Sequence, residues 1–159
     1  GLDQPAVSDA WQVLNREKPA GKQVVVIGAG LIGMEVADFL VNQGSQVTLV
    51  EMLPHSPVLK ITGHGYQLHK RLREAQVQFH FSTNISCIDG DRVTLSCADK
   101  EKILEGIDQV VLAVGLEPRP DLKDTLKDKG IRHFVVGDAY EVRRIIEATA
   151  EGARAAWNI

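Results

Sequence analysis

The sequence predicts an α/β fold, a parallel sheet with flanking helices plus a small antiparallel β-meander. Three observations lead there. Val24 to Ile27 is an unbroken β-branched run, as a parallel strand buried on both faces should be. Leu31, Ile32, Met34, Val36, Phe39, Leu40 and Val41 then recur at helical spacing up to a stop at Asn42-Gln43-Gly44. From Val77 the pattern changes to short alternating segments, which is the signature of antiparallel strands.

Taken in order, residues 1–21 read as a connector, a loop and then a short helix from Ser8 through Glu17 with Trp11 and Leu14 on one face, ended by Pro19-Ala20-Gly21-Lys22. Residues 22–130 read as the main domain. Its first strand, Val24 to Ile27, runs into the turn Gly28-Ala29-Gly30-Leu31-Ile32-Gly33, the helix follows, and the strand Val47 to Val50 ends in Glu51. A polar stretch from Glu51 to Gly65, with Pro54 and Pro57, leads to a helix over roughly His64 to Ala75 whose apolar side is Leu68 and Leu72. Val77 to Phe81 is expected to join the main sheet. Ile85 to Ile88, Val93 to Cys97 and Ile103 to Leu104 form the meander, with Asp89-Gly90-Asp91 as a turn.

Asp108 to Val114 returns to a continuous apolar strand, so the loop Gly115 to Pro120 would lie at the carboxyl ends of the strands, where open α/β sheets bind ligands. Asp121 to Lys129 alternates acids with lysines, as a solvated helix or loop does. Residues 131–159 read as a last βα unit, a strand over Arg132 to Val136, then Gly137-Asp138 and a helix from about Arg143 to Trp157. The sequence leaves open whether this unit joins the first sheet or another.

The turn after the first strand carries the chemistry. Gly28 permits a tight exit from the strand, Gly30 lets the backbone approach a pyrophosphate, and Gly33 lets the helix pack closely on the sheet. The free N–H groups of the helix's first turn would face the phosphates, where the helix dipole favours negative charge by about 0.3–1 kcal/mol. Glu51 stands eighteen positions after Gly33, where a carboxylate is expected to hold the adenosine ribose. The order of parts describes a Rossmann-like dinucleotide site. A carboxylate at Glu51 would repel a 2′-phosphate by roughly a few kcal/mol at an intermediate dielectric, and Met52-Leu53-Pro54 supplies no arginine to offset that, which favours NADH over NADPH.

Composition bounds the alternatives. A chain of 159 residues, 44% hydrophobic and 25% charged, can bury a real core as one compact globular domain. A net charge of −3 and no lysine or arginine stripe argue against nucleic acid, and no apolar run reaches bilayer length and no signal pattern opens the chain, so a cytoplasmic protein is expected. Cys87 and Cys97, in the β region, read as buried free thiols, the inferred compartment arguing against a disulfide between them. His55, His64, His69, His80 and His133 show no metal-ligand spacing. His55, just after Glu51, reads as an exposed loop residue or a contact for the adenosine end.

Several features then line up: Gly28-Ala-Gly-Leu-Ile-Gly33-Met-Glu35, Glu51, Asp108-Gln-Val-Val-Leu-Ala-Val-Gly115 and Val135-Val-Gly-Asp138. This resembles the flavin- and pyridine-nucleotide-dependent reductases of the disulfide reductase superfamily. The ending, Gly137-Asp138-Ala139 followed by Glu141, Arg143-Arg144-Ile145-Ile146-Glu147-Ala148 and Glu151-Gly152, resembles the C-terminal region of the NADH:flavin oxidoreductase, 2,4-dienoyl-CoA reductase and trimethylamine dehydrogenase group. The opening Gly1-Leu2-Asp3-Gln4-Pro5-Ala6-Val7 is similar to the connector into that group's second nucleotide-binding domain.

The resemblance implies a polypeptide with a flavin-bearing barrel and an iron–sulfur cluster, then an FAD domain into which an NAD(P) domain is inserted. The present sequence carries one glycine fingerprint, so it reads as a fragment or excised domain whose partners are the FAD and barrel domains of the same polypeptide. By position, Gly28, Ala29, Gly30, Leu31, Ile32 and Gly33 would hold the NAD pyrophosphate, Glu51 with Met52 the adenosine ribose, and Val114-Gly115 the nicotinamide side. Glu35 has two readings, an approach to the nicotinamide or a first-turn acid favoured by the dipole. Gly137 and Asp138 match the segment that meets the FAD ribityl chain in the family. FAD, FMN and the cluster belong to the whole polypeptide, and no catalytic acid, base or nucleophile is expected in this chain. A structural module with an unused or ADP-only site, and a small FAD protein, are the alternatives.

Overall fold

The computed structural model describes residues 1–58, 63–98, 100–119 and 121–159, in two compact units, 1–114 and 115–159. Part of the Glu51 to Gly65 connection and Pro120 of the following loop therefore lie outside the described residues.

Unit 1 contains β1 (Val7–Asp9), α1 (Ala10–Leu14), β2 (Gln23–Ile27), α2 (Leu31–Asn42), β3 (Gln46–Val50), α3 (Gly63–Glu74), β4 (Gln78–His80), β5 (Asn84–Asp89), β6 (Arg92–Cys97), β7 (Lys100–Leu104) and β8 (Gln109–Leu112). The five-stranded sheet has the order β1-β8-β2-β3-β4 and every pair in it is parallel, with Val24 opposite both Val47 and Gln109. The second sheet is the antiparallel meander β5-β6-β7. The expected α/β architecture is the observed one.

β2 is apolar throughout because both of its faces are covered. Val24 and Val26 pack with Leu49, Val111 and the buried sides of α1, α2 and α3 (Val13, Met34, Val36, Leu40, Leu68, Leu72). Val25 points the other way, with Val7, Val50 and Val110, under Ile88, Val93 and Leu95 of the meander. Each such side chain is almost fully excluded from water, a contribution of about 1.5–3 kcal/mol apiece.

Three expectations are corrected here. Val7 to Asp9 is a strand, paired with β8, and the helix starts only at Ala10 because Asp9 caps it: Asp9 Oδ1 accepts the Gln12 N–H at 2.8 Å and Gln12 Oε1 accepts the Asp9 N–H at 3.2 Å. Arg132 to Val136 form no strand, since unit 2, with α4 (Lys123–Asp128), a 3-10 turn (Gly137–Ala139) and α5 (Ile145–Ala156), offers no strand among its described residues to pair with. Cys87 and Cys97 are free but exposed, not buried. Cys87 precedes the inward-facing Ile88, so the pleat turns it outward, and Cys97 ends its strand.

Candidate functional site

The carboxyl ends of β2, β3 and β8 meet at the glycine turn. The chain leaves β2 at Ile27, and the Gly28 N–H donates to the Val50 carbonyl at 2.8 Å while the Ala113 N–H donates to Ile27. Gly28 has a φ of +103°, and a Cβ there would stand 2.4 Å from the Ala113 carbonyl oxygen. At Gly33 a Cβ would stand 1.9 Å from the Gly28 oxygen, so α2 lies against the turn at a distance no side chain permits. Gly30 differs: its φ is an ordinary −69°, and a Cβ would meet nothing within 4 Å. Packing explains the first and third glycines, and no contact among the described residues explains the middle one.

Gly30 is also the N-cap of α2, a helix of 12 residues with no side-chain cap and no acid in its first turn. Its own cap and first turn therefore supply no negative group to the positive end of the helix. Leu31 and Ile32 begin the helix half-buried against the core.

Glu51 sits immediately beyond β3 and is 7% exposed. Its Oε2 accepts the Ala29 N–H at 2.8 Å and its Oε1 the Leu53 N–H at 2.9 Å. Its own backbone is tied to the next connection, donating to the His80 carbonyl and accepting the Thr83 N–H. The two side-chain bonds fix the carboxylate's plane, and each oxygen keeps one further lone pair for a ribose hydroxyl. Met52, next in the chain, is 68% exposed.

Ser56 was not legible as part of this site. Its hydroxyl is buried and donates to the Ala29 carbonyl at 2.6 Å, and it accepts the Val58 N–H at 3.4 Å. The segment after β3 thus grips Ala29 from both sides, Glu51 at its N–H and Ser56 at its C=O. No local pattern marks a serine for a contact 27 positions away.

Glu35 lies beyond the first turn of α2, which removes the reading of it as a first-turn acid, and its Oε1 faces His64 Nε2 of α3 at 3.3 Å on the surface. Val114 is exposed after β8. Gly115, with φ +127°, opens unit 2. Within unit 2, the Gly137 N–H donates to Glu151 Oε2 at 2.8 Å and the exposed Asp138 carboxylate accepts the Arg143 N–H at 3.4 Å. His55 is exposed. No helix among the described residues is long and apolar enough to cross a membrane.

Comparison with known proteins gives a consistent answer. The model of the pyridine nucleotide-disulphide oxidoreductase family matches residues 3–144. Over all of its length the chain is 35% identical to a bilirubin reductase of Mediterraneibacter gnavus, of which it covers 25%, and over 96% of its length it is 37% identical to an NADH oxidase of Thermoanaerobacter brockii, of which it covers 24%. It spans about a quarter of the length of these curated relatives. Among solved structures it superposes on a 2-naphthoyl-CoA reductase with a TM-score of 0.87 at 25% identity, covering 100% of this chain and 24% of that one. A 6-hydroxypseudooxynicotine amine oxidase of Pseudomonas geniculata gives the same TM-score at 26% identity, with 98% and 24% covered. The chain belongs to the pyridine nucleotide-disulphide oxidoreductase family.

Proposed function

We propose that this chain is the NADH-binding domain of a flavin-dependent oxidoreductase, positioning NADH to reduce FAD. The observation that carries the reading is Gly30, a glycine required by no neighbour among the described residues, at the end of a 12-residue helix without a side-chain cap and one residue from the peptide that Glu51 grips. An open helix terminus, room for close backbone approach and an oriented ribose acid are what a dinucleotide asks of a protein.

In this reading Gly28, Gly30, Gly33 and the first N–H groups of α2 hold the pyrophosphate, Glu51 accepts the ribose hydroxyls beside Met52, and Val114 and Gly115 belong to the nicotinamide side. Bound NADH supplies a hydride, and the protein supplies binding, orientation and local electrostatics. Glu35 is proposed to approach the nicotinamide. Preference for NADH over NADPH follows from the negative charge of Glu51.

The assignment to the NADH:flavin oxidoreductase, 2,4-dienoyl-CoA reductase and trimethylamine dehydrogenase group is supported by the match to an NADH oxidase over 96% of this chain and by the segment from Gly137 to Gly152. FAD, FMN and an iron–sulfur cluster are proposed for the rest of such a polypeptide, with Gly137 and Asp138 facing FAD. Ile145, Ile146 and Trp157 of unit 2 are exposed by 86%, 67% and 84%, and the FAD portion is the partner proposed for them.

Titration of the purified chain with NADH, NADPH and ADP, followed by nicotinamide fluorescence and calorimetry, tests the reading. Saturable NADH binding with weaker NADPH binding is expected. Binding of ADP without NADH would replace it with a structural module, and a yellow protein carrying FAD would replace it with a flavoprotein.

A further inference from the structure

The turn contains one peptide unit on which the arrangement converges, the unit joining Ala29 to Gly30. It is planar and trans, so its C=O and its N–H point in opposite directions. Whatever fixes the Ala29 carbonyl therefore aims the Gly30 N–H. That carbonyl is fixed by one group, the buried Ser56 hydroxyl at 2.6 Å, itself held by accepting the Val58 N–H. The Gly30 N–H has no acceptor among the described residues. The preceding peptide unit, Gly28 to Ala29, is fixed in turn by Glu51 at the Ala29 N–H. Ala29 itself is wholly buried, so solvent holds neither group.

We infer that Ser56 is a positioning residue for dinucleotide binding: by holding the Ala29 carbonyl it fixes the direction of the Gly30 N–H, a donor without an acceptor among the described residues, at the start of α2. The inference rests on the dinucleotide reading above and deepens it. The ligand class is an anionic pyrophosphate, for which a donor already aimed costs no reorientation on binding. Ser56 also lies five positions past Glu51 in the same segment. Ribose recognition at Glu51 and phosphate recognition at Gly30 are thereby built from one loop acting on one residue, Ala29. Loss of the Ser56 hydroxyl leaves the carbonyl free to rotate away and takes the Gly30 N–H with it, while the Glu51 carboxylate keeps its two backbone bonds.

The test compares the wild-type chain with Ser56→Ala and Ser56→Thr, each titrated with NADH and, by NMR, with adenosine, which has the ribose but no phosphate. Ser56→Ala is expected to weaken NADH binding roughly fivefold, the equivalent of one ordinary hydrogen bond. Its adenosine affinity should stay within about twofold of wild type, and Ser56→Thr, which keeps a hydroxyl, should restore NADH binding. Unchanged NADH affinity in Ser56→Ala, equal losses for NADH and adenosine, or equal weakening in Ala and Thr variants would overturn the inference. Failure of the wild-type chain to bind NADH would overturn the dinucleotide reading itself and this inference with it.

Discussion

The Glu51 carboxylate and the Ala29 amide, 22 positions apart, are joined by a 2.8 Å hydrogen bond that is buried. The acid expected to recognise a ribose is thus also a structural brace for the turn expected to recognise a pyrophosphate. Truncation should expose both roles. Glu51→Ala leaves the Ala29 N–H buried without an acceptor, which costs about 1–3 kcal/mol, and it removes the ribose contact. Urea unfolding should show the lower midpoint, and NADH titration the lost affinity.

For the same reason cofactor preference should be altered beside Glu51 rather than at it. Arginine at position 51 would strip the Ala29 and Leu53 amides of their acceptor and confuse specificity with damage. Met52 is 68% exposed. Met52→Arg should raise NADPH affinity roughly fivefold, as an exposed guanidinium–phosphate contact allows, with the thermal midpoint unchanged.

Gly33 tests the packing side of the turn. Alanine in a helix interior normally gains about 1 kcal/mol over glycine, but here its Cβ would stand 1.9 Å from the Gly28 carbonyl oxygen. Backbone cannot yield as a flexible side chain would, and overpacking of this kind costs about 1–3 kcal/mol or more. The steric term wins, so Gly33→Ala should unfold at lower denaturant than wild type.

The strand, turn, helix and second strand of the site were readable because periodicity is local: Val24 to Ile27 and Leu31 to Val41 declare their own burial. What depends on distant partners was not. Three residues at Val7 to Asp9 become a strand only by pairing with Val110 to Leu112, and Arg132 to Val136, β-branched in part, form no strand in a unit that has none among its described residues. Ser56 is the sharpest case, since its role exists only through Ala29. The outward turn of Cys87 was partly legible, because it alternates with the apolar Ile88, yet a bulge between Ile85 and Cys87 interrupts the count.

Stability should fall on mild acidification. Burial, then the nearby Arg73 guanidinium, holds His69 below its ordinary pKa of 6.5. Burial, then Lys102, does the same to His80. His69 Nε2 is buried without a hydrogen-bond partner among the described residues, and its ring tilts against Phe79 at 4.8 Å. A folded-state pKa below the unfolded value means that the unfolded chain binds more protons, so the contribution is complete above about pH 6.5 and is lost as pH falls from there towards the depressed values. His69→Phe should flatten that loss in a series of thermal melts across the window.

If a pyrophosphate occupies the space beside Gly30, a methyl group placed there should exclude it. The most direct measurement is NADH affinity of Gly30→Ala beside wild type, with unfolding curves for both. The added methyl meets no atom of the described residues within 4 Å and the backbone there is ordinary, so the fold should survive at a cost of about 1 kcal/mol or less for the changed cap. NADH affinity should drop tenfold or more, a loss of about 1.4 kcal/mol. A stable Gly30→Ala variant that binds NADH as well as wild type would contradict the account.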